Sequence, residues 1–220
     1  MRKSLAERKN TFDGCTNLTE IVIPDGVTHI GENAFRYCTS LQKIHLPDGL
    51  TCISECMLDS CVNLQHIDIP ESVSSIGDYA FSGCKNVYNI VIPEEVSYIG
   101  SGAFESCTNL SWTNFPNNIT SIQANTFANC TNMSEINGYM PETVTKIGYE
   151  AFKNCTNLTN IKFEGTTPPK ISDRYYYWYN WYNTDAFAGF EGNISVPFVA
   201  VEAYKKADGW SKYADRIVGY

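Results

Sequence analysis

Apolar residues return along this chain at fixed intervals. Phe12, Phe35, Leu58, Phe81, Phe104, Phe127 and Phe152 share one phase, and Cys15, Cys38, Cys61, Cys84, Cys107, Cys130 and Cys155 share another. Every step is 23 residues except the last, which is 25. A constant repeat of roughly 20–29 residues with leucine-like residues at set phases marks a solenoid whose turns bury their faces against one another.

The unit running from Cys15 to Phe35 can be read physically. Leu18, Ile21 and Ile23 have Leu-x-x-Leu-x-Leu spacing, and the last two straddle an outward residue, as a half-buried strand requires. Pro24 has no N–H to give a ladder, so it ends the strand; Pro47, Pro70, Pro93, Pro116 and Pro141 repeat the device. Val27 and Ile30 fill the core from a second extended stretch. Gly31 turns the chain, and Ala34-Phe35 drop a ring inside before Cys38 opens the next turn. The pattern predicts a right-handed leucine-rich-repeat β-solenoid, with a parallel sheet on the concave side and short second strands and turns on the convex side. Residues 1–163 form about seven turns, 164–190 an aromatic-rich connecting loop with a partial last repeat, and 191–220 a small α/β cap, all in one continuous domain.

The run Ala80-Phe81-Ser-Gly-Cys84-Lys-Asn-Val87-Tyr-Asn-Ile90-Val-Ile92-Pro93, with its counterparts across residues 11–163, resembles the BspA-like, or Treponema-type, leucine-rich repeats. The tail from Ile194 to Ile217 resembles that family's C-terminal cap, with a short helix over 199–207 and Trp210, Tyr213 and Ile217 as a lid. The resemblance implies a non-enzymatic protein, at the cell surface or secreted, that binds host or matrix proteins and other cells. It implies no particular ligand.

Charge and cysteine usage narrow the picture. A net charge of −8 argues against sequence-independent nucleic-acid binding, which needs clustered Lys and Arg. No apolar run approaches the length of a membrane span. The opening Met1–Asn10 lacks an apolar signal-peptide core, and Thr11–Cys15 is already mid-repeat. A trimmed end with a missing secretion signal and a chain that starts here both fit. Seven cysteines at one interior phase predict a ladder of free thiols, because stacked side chains run parallel and do not face each other. Cys52 and Cys56 lie off the ladder, with Cys52 outward and the better candidate for reactivity. Eight Asn-x-Ser/Thr sequons are mostly by-products of the repeated turn and do not establish glycosylation.

Candidate chemistry lies on two outward columns. Glu20, Lys43, His66, Asn89, Trp112, Glu135 and Asn160 form the first; Val22, His45, Asp68, Val91, Asn114, Asn137 and Lys162 form the second. Their mixed, small and polar character suits a broad protein contact. Trp112, with Asn89, Asn114, His66 and Asp68 around it, is the candidate anchor, because large aromatics are enriched at binding hot spots. Thr113 stands where an isoleucine belongs, so Trp112 either stays on the face or turns inward to fill the gap. His45, His66 and Asp68 could hold zinc, but three such residues on a solvated face are commoner without a metal, and no metal or other cofactor is expected. No nucleophile elbow, phosphate loop or His-Glu-x-x-His appears, so no enzyme is expected. The aromatic segment Tyr175, Tyr176, Tyr177, Trp178, Tyr179, Trp181 and Tyr182 either stacks on sugar rings or a protein partner, or folds back over the final turn. The insertion at Asn137-Gly138 predicts a bulge that disturbs the sheet.

Overall fold

The computed structural model describes residues 8–172, 174–177, 180–183 and 185–220, the two segments between 173 and 184 by their backbone alone. They form a parallel β-solenoid of about eight turns closed by a small helical cap. The strands of the first wall are Glu20–Val22, Lys43–His45, Asn89–Ile90, Trp112–Asn114, Glu135–Asn137, Asn160–Lys162, Asn193–Val196 and Ile217–Gly219. Its register advances by one repeat per strand: Ile21 lies opposite Ile44, Asn89 opposite Trp112, and Trp112 opposite Glu135. The second wall has two-residue strands at Cys52–Ile53, Ser75–Ile76, Tyr98–Ile99, Ser121–Ile122, Lys146–Ile147 and Lys170–Ile171, paired in parallel in two groups of three. Ile53, Ile76, Ile99, Ile122 and Ile147 point inward against the first wall's Ile44, Ile67 and Ile90, and all are buried. No single turn could bury this face alone, so stacking stabilises the fold.

Two ladders run the length of the core. Phe81, Phe104, Phe127, Phe152 and Phe187 stack with centroids 5.3–5.6 Å apart and planes within 12° of parallel, and Phe12 stacks on Phe35 at 5.1 Å. Leu58 interrupts the series and is fully buried at the same phase. Beside the rings, each interior thiol donates backwards to the carbonyl at the aromatic position of the turn before: Cys38 to Phe12, Cys61 to Phe35, Cys107 to Phe81 and Cys130 to Phe104, each at 3.1 Å. Cys84 and Cys155 do the same to Leu58 and Phe127 at 3.2 Å. The Phe81 carbonyl already accepts the Cys84 N–H at 3.1 Å, so the thiol supplies a second donor to a buried acceptor. All nine cysteines are free. Cys15 departs from the expected interior ladder: it is exposed, since no described turn lies beneath it.

Tight stacking explains a recurrent glycine. A Cβ at Gly100 would lie 2.4 Å from the Asp78 backbone nitrogen, and one at Gly148 would lie 2.4 Å from that of Ala124. The requirement is close approach between turns, not the turn expected at Gly31. After each aromatic, a residue turns left-handed: Tyr37, Ser60, Ser106, Asn129 and Asn154 have φ of 56–62°, and Gly14, Gly83 and Gly189 share the phase.

Two insertions interrupt the repeat. At Asn137-Gly138 (Gly138 φ 95°) the first-wall ladder opens between Glu135–Asn137 and Asn160–Lys162, and a Met140–Phe163 bridge resumes it. This is the disturbance the sequence predicts. Ile147 precedes Phe152 by five positions, but Ile171 precedes Phe187 by 16. The extra residues, expected as a loop, are a β-hairpin: Arg174–Tyr177 runs antiparallel to Asn180–Asn183, with Tyr175 opposite Tyr182 and Tyr176 opposite Trp181. Among the described residues these strands pair with each other and with neither wall. Alternating cross-strand aromatics favour such pairing.

The cap forms as the tail predicts. Phe198–Ala200 makes one 3-10 turn into the helix Val201–Lys206, and Ile217–Gly219 adds a last parallel strand beside Asn193–Val196. Trp210, Tyr213 and Ile217 are buried over the final turn. Trp210 donates its indole N–H to Pro169 at 2.7 Å, and the Tyr204 hydroxyl donates to Gly165 at 3.1 Å. Among the described residues no helix is long and apolar enough to cross a membrane.

Candidate functional site

The outward residues line up in two paired runs, Glu20, Lys43 and His66, then Asn89, Trp112 and Glu135, with Asn160 beyond the opened ladder, and they have different fates. Thr113 takes the inward position, fully buried, and its hydroxyl donates to the Ile90 carbonyl at 3.1 Å. That resolves Trp112: its ring stays on the outer face, half-buried. Asn89 sits beside it in register. Asn114 is committed elsewhere. Its amide donates to the Ile92 carbonyl at 2.8 Å and accepts the Ile92 N–H at 2.7 Å, standing in for a strand neighbour.

His45, His66 and Asp68, which could have held zinc had they converged, take separate partners. His66 Nε2 pairs with Asp68 Oδ1 at 2.9 Å, two residues along the same chain, while His45 turns to Glu20 at 3.8 Å. Among the described residues no group of three potential ligands is close enough to hold a metal. His66 instead borders a shallow cavity of about 290 Å³ with Glu20 and Lys43. His29, which the sequence did not single out, lies with its Nδ1 3.5 Å from the Cys52 sulfur. Cys52 is thus half-exposed beside an imidazole, whereas burial pushes Cys56 up to about 11, with Asp59 and Glu55 adding to the effect.

A concavity on the first wall lies beside the opening in the ladder. It measures about 470 Å³ and is bordered by Val91, Glu94, Trp112, Asn117, Tyr139 and Glu164, with Asn114, Phe115, Asn137 and Gly138 completing the lining. Phe115 forms its floor, buried edge-on against Phe127 and Phe152. The bulge creates the opposite rim: Met140 N–H bonds the Lys162 carbonyl at 2.6 Å, and Glu164 N–H bonds Met140 at 3.0 Å, leaving Tyr139 exposed above them. Tyr139 leans on Tyr220 with centroids 5.6 Å apart, and Lys162 Nζ lies 5.9 Å over its ring. A second gap of about 320 Å³ separates the parted strands, between Glu135 and Lys162. Tyr139, Glu94, Glu164 and Tyr220 escaped the sequence reading. The only signal for them was the two-residue insertion, which gives a place but not the residues it would gather.

Of the aromatic segment, Tyr175, Tyr176, Tyr177, Trp181 and Tyr182 are placed by backbone register in the hairpin. Trp178 and Tyr179 lie outside the described residues.

The architecture defines a class: a parallel solenoid of leucine-rich turns with a thiol and phenylalanine core. Comparison gives the family. A model described as "BspA type Leucine rich repeat region (6 copies)" matches residues 8–134 and 132–185, and the chain belongs to that family. The chain is similar to a leucine-rich repeat protein of T. pallidum, at 36% identity over 68% of this chain and 69% of that one, with a TM-score of 0.65. It also shares its fold with a leucine-rich repeat protein from Bacteroides ovatus, at 24% identity over 86% of this chain and 58% of that one, with a TM-score of 0.57. No curated protein matches the chain.

Proposed function

We infer that this chain is a non-enzymatic interaction and adhesion module, displayed at a cell surface or secreted, that binds a protein partner through its first sheet wall. The observation that carries this reading is Trp112, a half-buried indole beside a concavity in a largely polar, mixed-charge face. An aromatic anchor ringed by polar groups is the usual layout of a contact hot spot. Membership of the BspA-type repeat family supports the interaction role. The test is capture of extracellular-matrix proteins on a panel by the wild type and by Trp112→Ala. Loss of a hit by about tenfold or more with Trp112→Ala supports the reading, that being the scale of a hot-spot truncation; a hit indifferent to it moves the site elsewhere.

A second reading rests on the hairpin, whose strands pair with neither wall and carry five of the segment's aromatics. Such a projection suits stacking on sugar rings. A glycan-array hit lost on deleting residues 174–183 would favour it. Silence on both arrays from the folded chain would leave a structural spacer.

A further inference from the structure

We propose that the concavity beside Trp112 receives a cation carried by the partner, an arginine side chain above all; this rests on the first wall being the binding face. The lining holds two carboxylates, Glu94 and Glu164, and no Lys, Arg or His. Neither carboxylate has an ion-pair partner among the described residues. Glu94 Oε2 accepts from the Asn117 backbone N–H at 3.2 Å and from its amide at 3.4 Å, which fixes the carboxylate and leaves its other oxygen unused. Trp112 and Tyr139 both line the same space. A guanidinium is planar, weakly hydrated and able to stack on a ring while it pairs with a carboxylate, so it matches this combination better than a compact ammonium.

The polar groups also argue against a neutral sugar. A polyol pairs its hydroxyls with donors as well as acceptors, and the two carboxylates supply acceptors alone. Of the amide donors here, the Asn114 NH2 is engaged by the Ile92 carbonyl and the Asn117 NH2 by Glu94. Asn137 is the one lining amide without such a commitment among the described residues. What remains unpaired is negative charge and aromatic surface. Lys162 lies over Tyr139 and borders the neighbouring gap, and it makes no ion pair with Glu94 or Glu164 among the described residues. The chain's net charge of −8 adds long-range attraction for a basic partner.

The test follows the Trp112 indole N–H resonance, assigned by its loss in Trp112→Phe, during titration of the whole chain with the blocked peptide Gly-Arg-Gly. The same peptide with citrulline, which keeps the shape and removes the charge, and glucose run alongside. The expected result is a saturable shift with arginine, at least tenfold weaker binding with citrulline, a comparable loss in Glu94→Gln/Glu164→Gln, and weakening with added salt. Equal responses to arginine and citrulline, a response to glucose alone, or none at all would each overturn the proposal. A matrix protein lost with Trp112→Ala but indifferent to both glutamine substitutions would keep the binding face and remove the cation. An arginine shift with no dependence of partner capture on Trp112 would do the reverse.

Discussion

If the aromatic ladder carries the stack, Phe104 is the place to break it. Its ring is fully buried between Phe81 at 5.4 Å and Phe127 at 5.3 Å. Phe104→Ala removes the side chain from a site that cannot collapse, costing about 3–5 kcal/mol through lost transfer energy and the cavity left behind. Phe104→Leu separates ring stacking from burial. Leu58 already occupies this phase with no exposure, so the space accepts leucine. What is lost is mainly two ring pairs of about 0.5–1.5 kcal/mol each, for a cost of about 1–3 kcal/mol. Phe12 has one stacking neighbour, Phe35, and is only half-buried, so Phe12→Ala should cost less than half as much as Phe104→Ala. Urea unfolding followed by circular dichroism measures all three. With a slope of about 2–3 kcal/mol per molar, Phe104→Ala moves the midpoint down by roughly 1–2.5 M. Equal losses for Phe104→Leu and Phe104→Ala, or for Phe12→Ala and Phe104→Ala, would refute the argument.

The thiol ladder predicts alkaline instability. Burial pushes Cys38 up to about 11 and Cys107 and Cys155 up to about 12, while unfolded thiols ionise near their ordinary value of about 9. The unfolded chain then holds fewer protons, so the stability these thiols contribute is intact below pH 9 and falls as pH rises toward 12. Cys107→Ala should flatten that fall, read from urea midpoints across the range; an unchanged slope would sink the assignment. At pH 8 an aromatic disulfide reagent should label Cys15 and Cys52 first, with Cys52 slowed in His29→Ala, as mapped by mass spectrometry. Gly100→Ala forces a methyl into the Asp78 backbone and should cost about 1–3 kcal/mol, against near-neutrality for Gly49→Ala, where the nearest atom is 3.8 Å away. If the aromatic segment serves binding, Tyr177→Ala, Trp178→Ala and Trp181→Ala together should leave the melting temperature nearly unchanged; a large fall would mean the rings cover the last turn.

Much of the fold was readable because each buried position recurs at a fixed phase, so an inward residue such as Ile44 or Ile67 is identified several times over. The cap was legible through the resemblance of the tail to the family's C-terminal cap, with Trp210, Tyr213 and Ile217 as its lid. The site was harder. Trp112 stood out as a large ring among small outward residues, yet its orientation depended on whether Thr113 could satisfy its hydroxyl indoors. It does so through the Ile90 carbonyl, a bond between turns that spacing cannot show. Asn114 looked available and is spent on Ile92 for the same kind of reason. His45, His66 and Asp68 share a face but not a centre, because side chains choose partners by rotamer and His45 turns to Glu20. Tyr139 and Glu164 meet Trp112 only because a bulge parts two strands, and no periodic argument reaches an interruption of the period.

The corner between Ile171 and Phe187 carries a hairpin, yet Phe187 still lies 5.5 Å from Phe152 with planes only 4° apart. The stack does not register what leaves and rejoins it at that corner. The same corner occurs before Phe81, Phe104, Phe127 and Phe152, with the same buried isoleucine five residues ahead of the ring. Each is therefore a slot where a foreign segment can be mounted without renegotiating the core. In a protein of this build, new specificity can arise by grafting at corners while the interior goes on copying itself. The hairpin marks one slot already used.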